Sequence, residues 1–385
     1  EVALSAGARL DYVAKTEIFE WLSPQQREQR ERLTVEIEEY RVQLEDVREN
    51  SKRVMYSVAP TDVPASTKFL HRGDIDREGE VVTPGGVASV AGVDAEFQLA
   101  ANAADSERRR QLAAWITGEN NSLFARVIVN RIWHYHFGNG LVDTPSDFGF
   151  NGGRPSHPEL IDWLADQLKA GDFRLKSLHR LMVTSSTYRQ SSAANATAQA
   201  IDADNRLLWR MKPRRLEAEV IRDSMLAVAG KLNLTMGGAG FEDVTATANN
   251  GTTYYEPLDV DGDVWFRRTI YRFSPRGGRS ALLDTFDCPD PSATAPRRAV
   301  TTTPLQALSL LNNAFVLRMS HYFSDRIVGA VDDDMALQVD YAWQLAVGRK
   351  PNEYERQLSV ELVDAHGLVI LCRGLFNTNE FVIVD

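Results

Sequence analysis

Cysteine is nearly absent from this 385-residue sequence: Cys288 and Cys372 are the only two. Two thiols build no disulfide framework, and neither opens a Cys-x-x-Cys-His run, so no c-type haem is attached to this chain. Long hydrophobic runs are missing as well. No stretch of about 18 apolar residues occurs, which excludes a membrane-spanning helix, and the residues from Glu1 onward do not read as a signal peptide. Positive charge is in deficit, with 43 Lys and Arg against 53 Asp and Glu and a formal charge of −10. That balance excludes broad electrostatic capture of nucleic acid or of an anionic membrane face. The common catalytic signatures are also lacking. There is no Gly-x-Ser-x-Gly elbow and no His-Glu-x-x-His run, and Gly237-Gly238-Ala239-Gly240 has no Lys-Ser/Thr ending for a phosphate loop. What remains is an ordinary globular composition, 43% hydrophobic and 25% charged, long enough for two or three domains.

The patterning predicts a mainly α fold: a multi-helix domain with long polar loops, preceded by a helical hairpin and a short β-containing linker. Residues 1–56 read as the hairpin or coiled-coil-like segment. Leu33, Ile37, Tyr40, Leu44, Val47 and Val54 recur at four-three spacing, the period of a coiled-coil seam, and Pro24 suits the first turn of one long helix. The seam is short and contains Ser51, so it is expected to pack within the chain, against Tyr12 to Trp21, rather than to build a long dimeric rod. Residues 57–105 read as a strand-and-loop linker with extended runs at Lys68 to His71 and Glu80 to Thr83.

Residues 106–385 read as the helical domain. Phe124, Val127, Ile128, Ile132 and Tyr135 repeat at helical spacing up to Gly138, a suitable left-handed stop. Ser156 and Glu159, and likewise Thr303 and Gln306, have capping-box spacing at helix starts. Further helices are expected over Leu175 to Arg189, Arg214 to Ala229, Thr303 to Tyr322, Met335 to Val347 and Asn352 to Phe376. A strand is expected at Arg268 to Phe273, and a long loop or irregular hairpin between Gly237 and Thr269.

Several side chains could carry chemistry. His134 and His136 cannot share one ion, because residues two apart on a helix point about 200° away from each other. His134 has Asn130 and Arg131 on its own face, near a helix C-terminus that favours a protonated imidazole. Asp143 and Asp147 flank a Thr-Pro turn, and Asp287 and Asp290 punctuate a loop. Convergent carboxylates of this kind can do general acid and base work, although Asx turns account for the same positions without chemistry. Arg276, Arg297 and Arg298 surround the acidic loop, either as its ion-pair partners or as a clamp for sulfate or uronate groups, since guanidinium forks bind oxyanions bidentately. Trp265, beside Tyr254 and Tyr255 in the irregular region, is the candidate ligand platform. Asp259, Asp261 and Asp263 alternate as calcium ligands do, but Val264 and Ile270 stand where an EF-hand needs Gly and Glu. An exposed acidic turn is the competing reading. No metal site is otherwise indicated.

The runs RVIVNRIWHYHFGNGLVDTPSDFG (Arg126 to Gly149), SHPELIDWLA (Ser156 to Ala165), LHRLMVTSSTYRQSS (Leu178 to Ser192), RRLEAEVIRDSML (Arg214 to Leu226), FDCPDPSA (Phe286 to Ala293), RRAVTTTPLQALSLLNN (Arg297 to Asn313) and NTNEFVIVD (Asn377 to Asp385) resemble a planctomycete C-terminal domain of unknown function, the PSD-type domain. The resemblance covers about Arg108 to Asp385. It implies an extracytoplasmic, periplasmic setting, a link to polysaccharide use, and cytochrome-c-like modules that would carry any haem in a partner module. The expected function is polysaccharide-associated binding or catalysis at an Asp, His and Arg site, with a glycan as ligand. The alternative is a non-enzymatic assembly module whose helical surfaces dock a cytochrome-like or cell-envelope partner.

Overall fold

The computed structural model describes residues 22–51, 59, 64–100 and 102–384. These form two compact units, one taking the described residues up to Gly85 together with Glu96–Leu112, the other Gly86–Ala95 together with the residues from Ala113 on.

In the first unit the charged segment is a single helix, α1 (Pro24–Ser51). Its start is fixed by reciprocal bonds, Ser23 N to Gln26 Oε1 and Gln26 N to Ser23 Oγ, which satisfy free backbone donors. The seam residues Leu33, Ile37, Tyr40, Leu44 and Val47 are all exposed on it. The expected partner Tyr12 to Trp21 lies outside the described residues, as does Val54. A short antiparallel hairpin follows, β1 (Thr67–Leu70) with β2 (Glu78–Val82), its register shifting between Lys68 and Leu70.

The second unit is mainly α and holds two apolar cores. The first core is built by α3 (Ser122–Phe137), α4 (Pro158–Ala170) and α5 (Leu175–Val183), which follow α2 (Asp105–Thr117) and bury Val129, Trp133, Leu164 and Met182. Gly138 ends α3 in the left-handed conformation, as its position predicts. The start of α4 differs from expectation: His157 is the cap residue and Pro158 opens the helix. Ser156 instead bonds His157 and the Leu141 carbonyl, which removes it from the capping box. Helix α5 stops at Val183, six residues short of the expected Arg189. Thr184 and Ser185 hydroxyls take the Arg180 and Met182 carbonyls there and turn the chain.

The second core gathers α7 (Ala218–Val228), α10 (Ala314–Ala330), α11 (Met335–Val347), α12 (Glu353–His366) and α13 (Leu368–Phe376) around Met225, Met319, Phe323 and Phe376. The short helix α6 (Ala196–Ile201) follows α5 and precedes α7 along the chain. Arg214 and Arg215 do not join α7 as expected. They form β3, paired antiparallel with β6 (Ile383–Val384), which follows α14 (Asn379–Val382). The Gly-rich region is a regular hairpin, β4 (Val244–Asn249) with β5 (Thr252–Pro257). The strand expected at Arg268 to Phe273 is a 3₁₀ turn over Thr269–Tyr271, because Asp223 takes the Thr269 backbone N–H at 2.9 Å and its hydroxyl at 2.6 Å.

Thr303 and Gln306 close the expected capping box on α9 (Pro304–Asn312), which follows α8 (Ala281–Thr285). Asn313 then ends α9 and caps α10, so the expected single helix is two. The helix expected over Asn352 to Phe376 likewise breaks, at Gly367. Its φ of 86° is a conformation that L side chains rarely adopt.

Candidate functional site

A cleft of about 600 Å³ opens in the second unit where the end of α3 meets β3, the start of α7 and the loops after α8. His134 and Tyr135 come from the last turn of α3, Arg214 and Arg215 from β3, and Asp287, Arg297 and Arg298 from the polar loops. The structure therefore brings His134, Asp287, Arg297 and Arg298 to one wall system. A second hollow of about 270 Å³ takes Asp143, Arg154, Asp204 and Lys212, and Asn139 and Arg297 line both.

Asp287 sits at the centre of a closed network. Its Oδ2 accepts from Arg215 Nη2 at 2.6 Å and from Thr301 N at 2.9 Å, and its Oδ1 accepts from the Thr301 hydroxyl at 2.8 Å. The side chains of Arg215 and Asp287 are 9% and 15% exposed. Burial works against ionisation of Asp287, but the Thr301 donors and the Arg215 guanidinium outweigh it and hold the carboxyl below its ordinary range. Arg215 also donates to the Thr301 and Phe286 carbonyls. Three donors from Arg215 and Thr301 hold the carboxylate ionised, so Asp287 is engaged in holding the loop rather than standing free as a base.

Arg298 makes a two-pronged pair with Glu219, at 2.5 and 2.9 Å, and lies 3.6 Å from Glu217. Burial opposes the Glu219 charge, yet Arg298 pulls its pKa down; the Cys288 thiol, which donates to Glu219 at 3.7 Å, is pushed up to about 11 by burial and by that carboxylate. His134 is half-buried, and burial together with the Arg297 charge lowers its pKa, so the imidazole is neutral at pH 7. The C-terminal helix position, which favours protonation, is overruled. Arg297 is exposed, and no ion pair holds it among the described residues.

The remaining candidates lie elsewhere. Asn130 is fully buried, and its amide exchanges bonds with Val142 N and O at 2.8 and 2.9 Å, fixing the turn after α3. Arg131 is exposed outside the cleft. Asp147 and Asp290 close Asx turns, on Gly149 N and on Ser292 N and Oγ. Arg276 lies on an exposed turn. Trp265 donates to the Glu242 carbonyl and borders a different hollow, so the exposed Tyr135 is the aromatic face of the cleft.

Asp259 is paired with Arg318, Asp261 accepts from the Tyr322 hydroxyl at 2.9 Å, and Asp263 enters through its backbone carbonyl, which accepts from Asn233. A guanidinium competes for the oxygens calcium would need, so this turn does not fit a resident cation. Among the described residues no three His, Cys, Asp or Glu are placed to share a metal ion.

Sequence reasoning missed Arg214, Arg215, Glu217 and Glu219. Their signal is the density of charge at the head of an apolar helix, where each buried charge needs a partner.

No curated protein and no solved structure matches the chain. The PSD1 family model, described as "Protein of unknown function (DUF1553)", matches residues 108–363, a span that contains the whole first core, the second core as far as Val363, and every residue lining the cleft. The chain therefore belongs to the PSD1 family.

Proposed function

We propose that this chain is an extracytoplasmic, polysaccharide-associated binding domain whose cleft takes the acidic groups, sulfate or uronate, of a glycan. The observation that carries the reading is Arg297, an exposed guanidinium at the junction of the two hollows with no ion-pair partner among the described residues. Counting it, seven Arg and Lys side chains line the two hollows against four carboxylates in a chain whose formal charge is −10. Such a local surplus favours an anion, and a guanidinium fork matches an oxyanion in two bonds. Tyr135 offers an apolar ring against which a sugar face can lie. Binding is favoured over catalysis because Asp287 is spent on Arg215 and Thr301. The extracytoplasmic setting rests on the resemblance of the sequence runs described above.

The test is a thermal-stability scan against neutral, sulfated and uronic glycans, since a ligand that binds only the folded state raises the midpoint. A rise confined to the acidic glycans is expected. Arg297→Ala should leave the unliganded midpoint unchanged and weaken the response by about tenfold or more in affinity, the value of a bond to a charged group. A panel without any response, or an Arg297→Ala variant that responds like the parent, would overturn the reading.

A further inference from the structure

We infer that α1 is a parallel dimerisation helix, its exposed seam closing against the same helix of a second copy of this chain. The seam runs from Leu33 through Ile37, Tyr40 and Leu44 to Val47, and these five side chains are 45–61% exposed on a helix of 28 residues. A row of large apolar residues at four-three spacing has the geometry of a knobs-into-holes interface. With Ile37 and Leu44 at the a positions, Leu33, Tyr40 and Val47 fall at d.

The flanks decide the partner and its direction. Glu36 is then at g and Arg41 at e, five residues apart, which is the separation that joins two parallel, in-register helices by a charge pair. Within one copy Arg41 has an exposed pair with Glu38 at 3.4 Å, and such a pair is weak and exchangeable. An antiparallel arrangement would instead set e positions against e positions and bring arginines together. Gln43 and Asn50 at the other g positions are neutral in either case. The helix therefore carries complementarity to itself in one orientation only. Val35 and Val42 lie at f, outside the seam, and stay outward in the pair. With little more than two heptads of apolar seam, the dimer is weak and concentration-dependent rather than obligate.

The sequence pattern alone suggests a hairpin with residues 12–21 as occupant; the Glu36–Arg41 spacing, which complements a parallel copy of the same helix, favours a second copy. Sedimentation of the full chain over a wide concentration range tests this. A monomer–dimer equilibrium is expected. Leu44→Arg should weaken it by at least about tenfold, because it sets two charges against each other at an a position, while the thermal midpoint stays unchanged since Leu44 packs in no core. Glu36→Lys should weaken association, and adding Arg41→Glu should restore it. Leu33→Cys in a Cys288→Ser background should cross-link to itself on mild oxidation, as in-register parallel chains place the two thiols together. A monomer at every concentration, meaning that the seam is filled within the chain or kept for another protein, would overturn the inference. So would a dimer indifferent to Leu44→Arg, or a Leu33 thiol that couples only to a thiol placed at Val47.

Discussion

Replacing Asp287 with Asn tests whether the acidic centre of the cleft is a structural clasp or a chemical group. Asparagine keeps the side-chain shape and tolerates the φ of 62° at this position, so the backbone is not the variable. What changes is the charge opposite Arg215, whose guanidinium is 9% exposed and whose Nε is already buried without a partner. Removing one member of a buried ion pair costs about 3–5 kcal/mol, because the other charge is left uncompensated. The Thr301 backbone and hydroxyl donors also lose half their acceptor capacity. In urea, a loss of that size moves the unfolding midpoint of the second unit down by about 1 M or more at neutral pH. The pH dependence supplies a second readout. The folded pKa of Asp287 is below its unfolded value, so its contribution is fully present above about pH 4 and is lost as pH falls through the folded pKa. The gap between parent and Asp287→Asn should therefore close on acidification. A variant that loses less than about 1 kcal/mol, or a gap that stays constant with pH, would refute the reasoning.

Three further outcomes follow from the same geometry. Gly153→Ala builds a Cβ 1.8 Å from Asp143 Oδ1, so the carboxylate must swing away. A stability loss of about 1–3 kcal/mol in a thermal melt is expected, with weaker binding at the second hollow. An NMR titration of His134 should show a midpoint below about 6.5 that rises, without fully recovering, in Arg297→Ala, because burial is the larger cause and the arginine the smaller. Since the folded imidazole resists protonation, that group costs stability as pH falls below the unfolded value, and the cost should shrink in the same variant. A thiol reagent at mildly alkaline pH should label neither cysteine quickly in the folded chain: burial raises both pKa values, that of Cys288 to about 11. Fast labelling of Cys288 would show that the Glu219 contact is not held in solution.

Local signals were the most readable part of this fold. Met335 to Val347 is the helix its apolar spacing predicts, with Gly348 as its left-handed stop, and the Thr303 to Gln306 box caps a helix. Both depend on residues within a turn of one another. Failures occurred where a distant residue took over a backbone or side chain. Ser156 has capping chemistry but spends its hydroxyl on Leu141 and His157, and Arg214 and Arg215 leave α7 because β6 claims them. The clearest omission is Arg222. It reads as one polar residue on a helix face, yet it is 8% exposed, lies between the Phe241 and Phe315 rings, and donates to the Trp265 and Arg267 carbonyls. No spacing rule reveals such an anchor, because apart from the adjacent Asp223 its partners are far away in sequence. The site was legible in its residue types more than in its connections. His134, Asp287, Arg297 and Arg298 stand out as charged groups in loops and at a helix end, but nothing in their spacing tells Asp287, locked by Thr301, from Arg297, exposed and unpaired.

The pairing of β3 with β6 has a kinetic consequence. Arg214 meets Val384 about 170 positions downstream, whereas the helices of the first core lie within a single stretch from Ser122 to Val183. Closing a long loop costs entropy before any contact rewards it, and distant pairings form slowly. The wall that carries Arg215 is thus a late arrival on the folding route, set in place with the second core, which must itself join Met225 to Phe376, after the first core has condensed. In a refolding experiment, helical signal should return first and binding competence afterwards, leaving an interval in which the molecule has its first core but not yet its mouth.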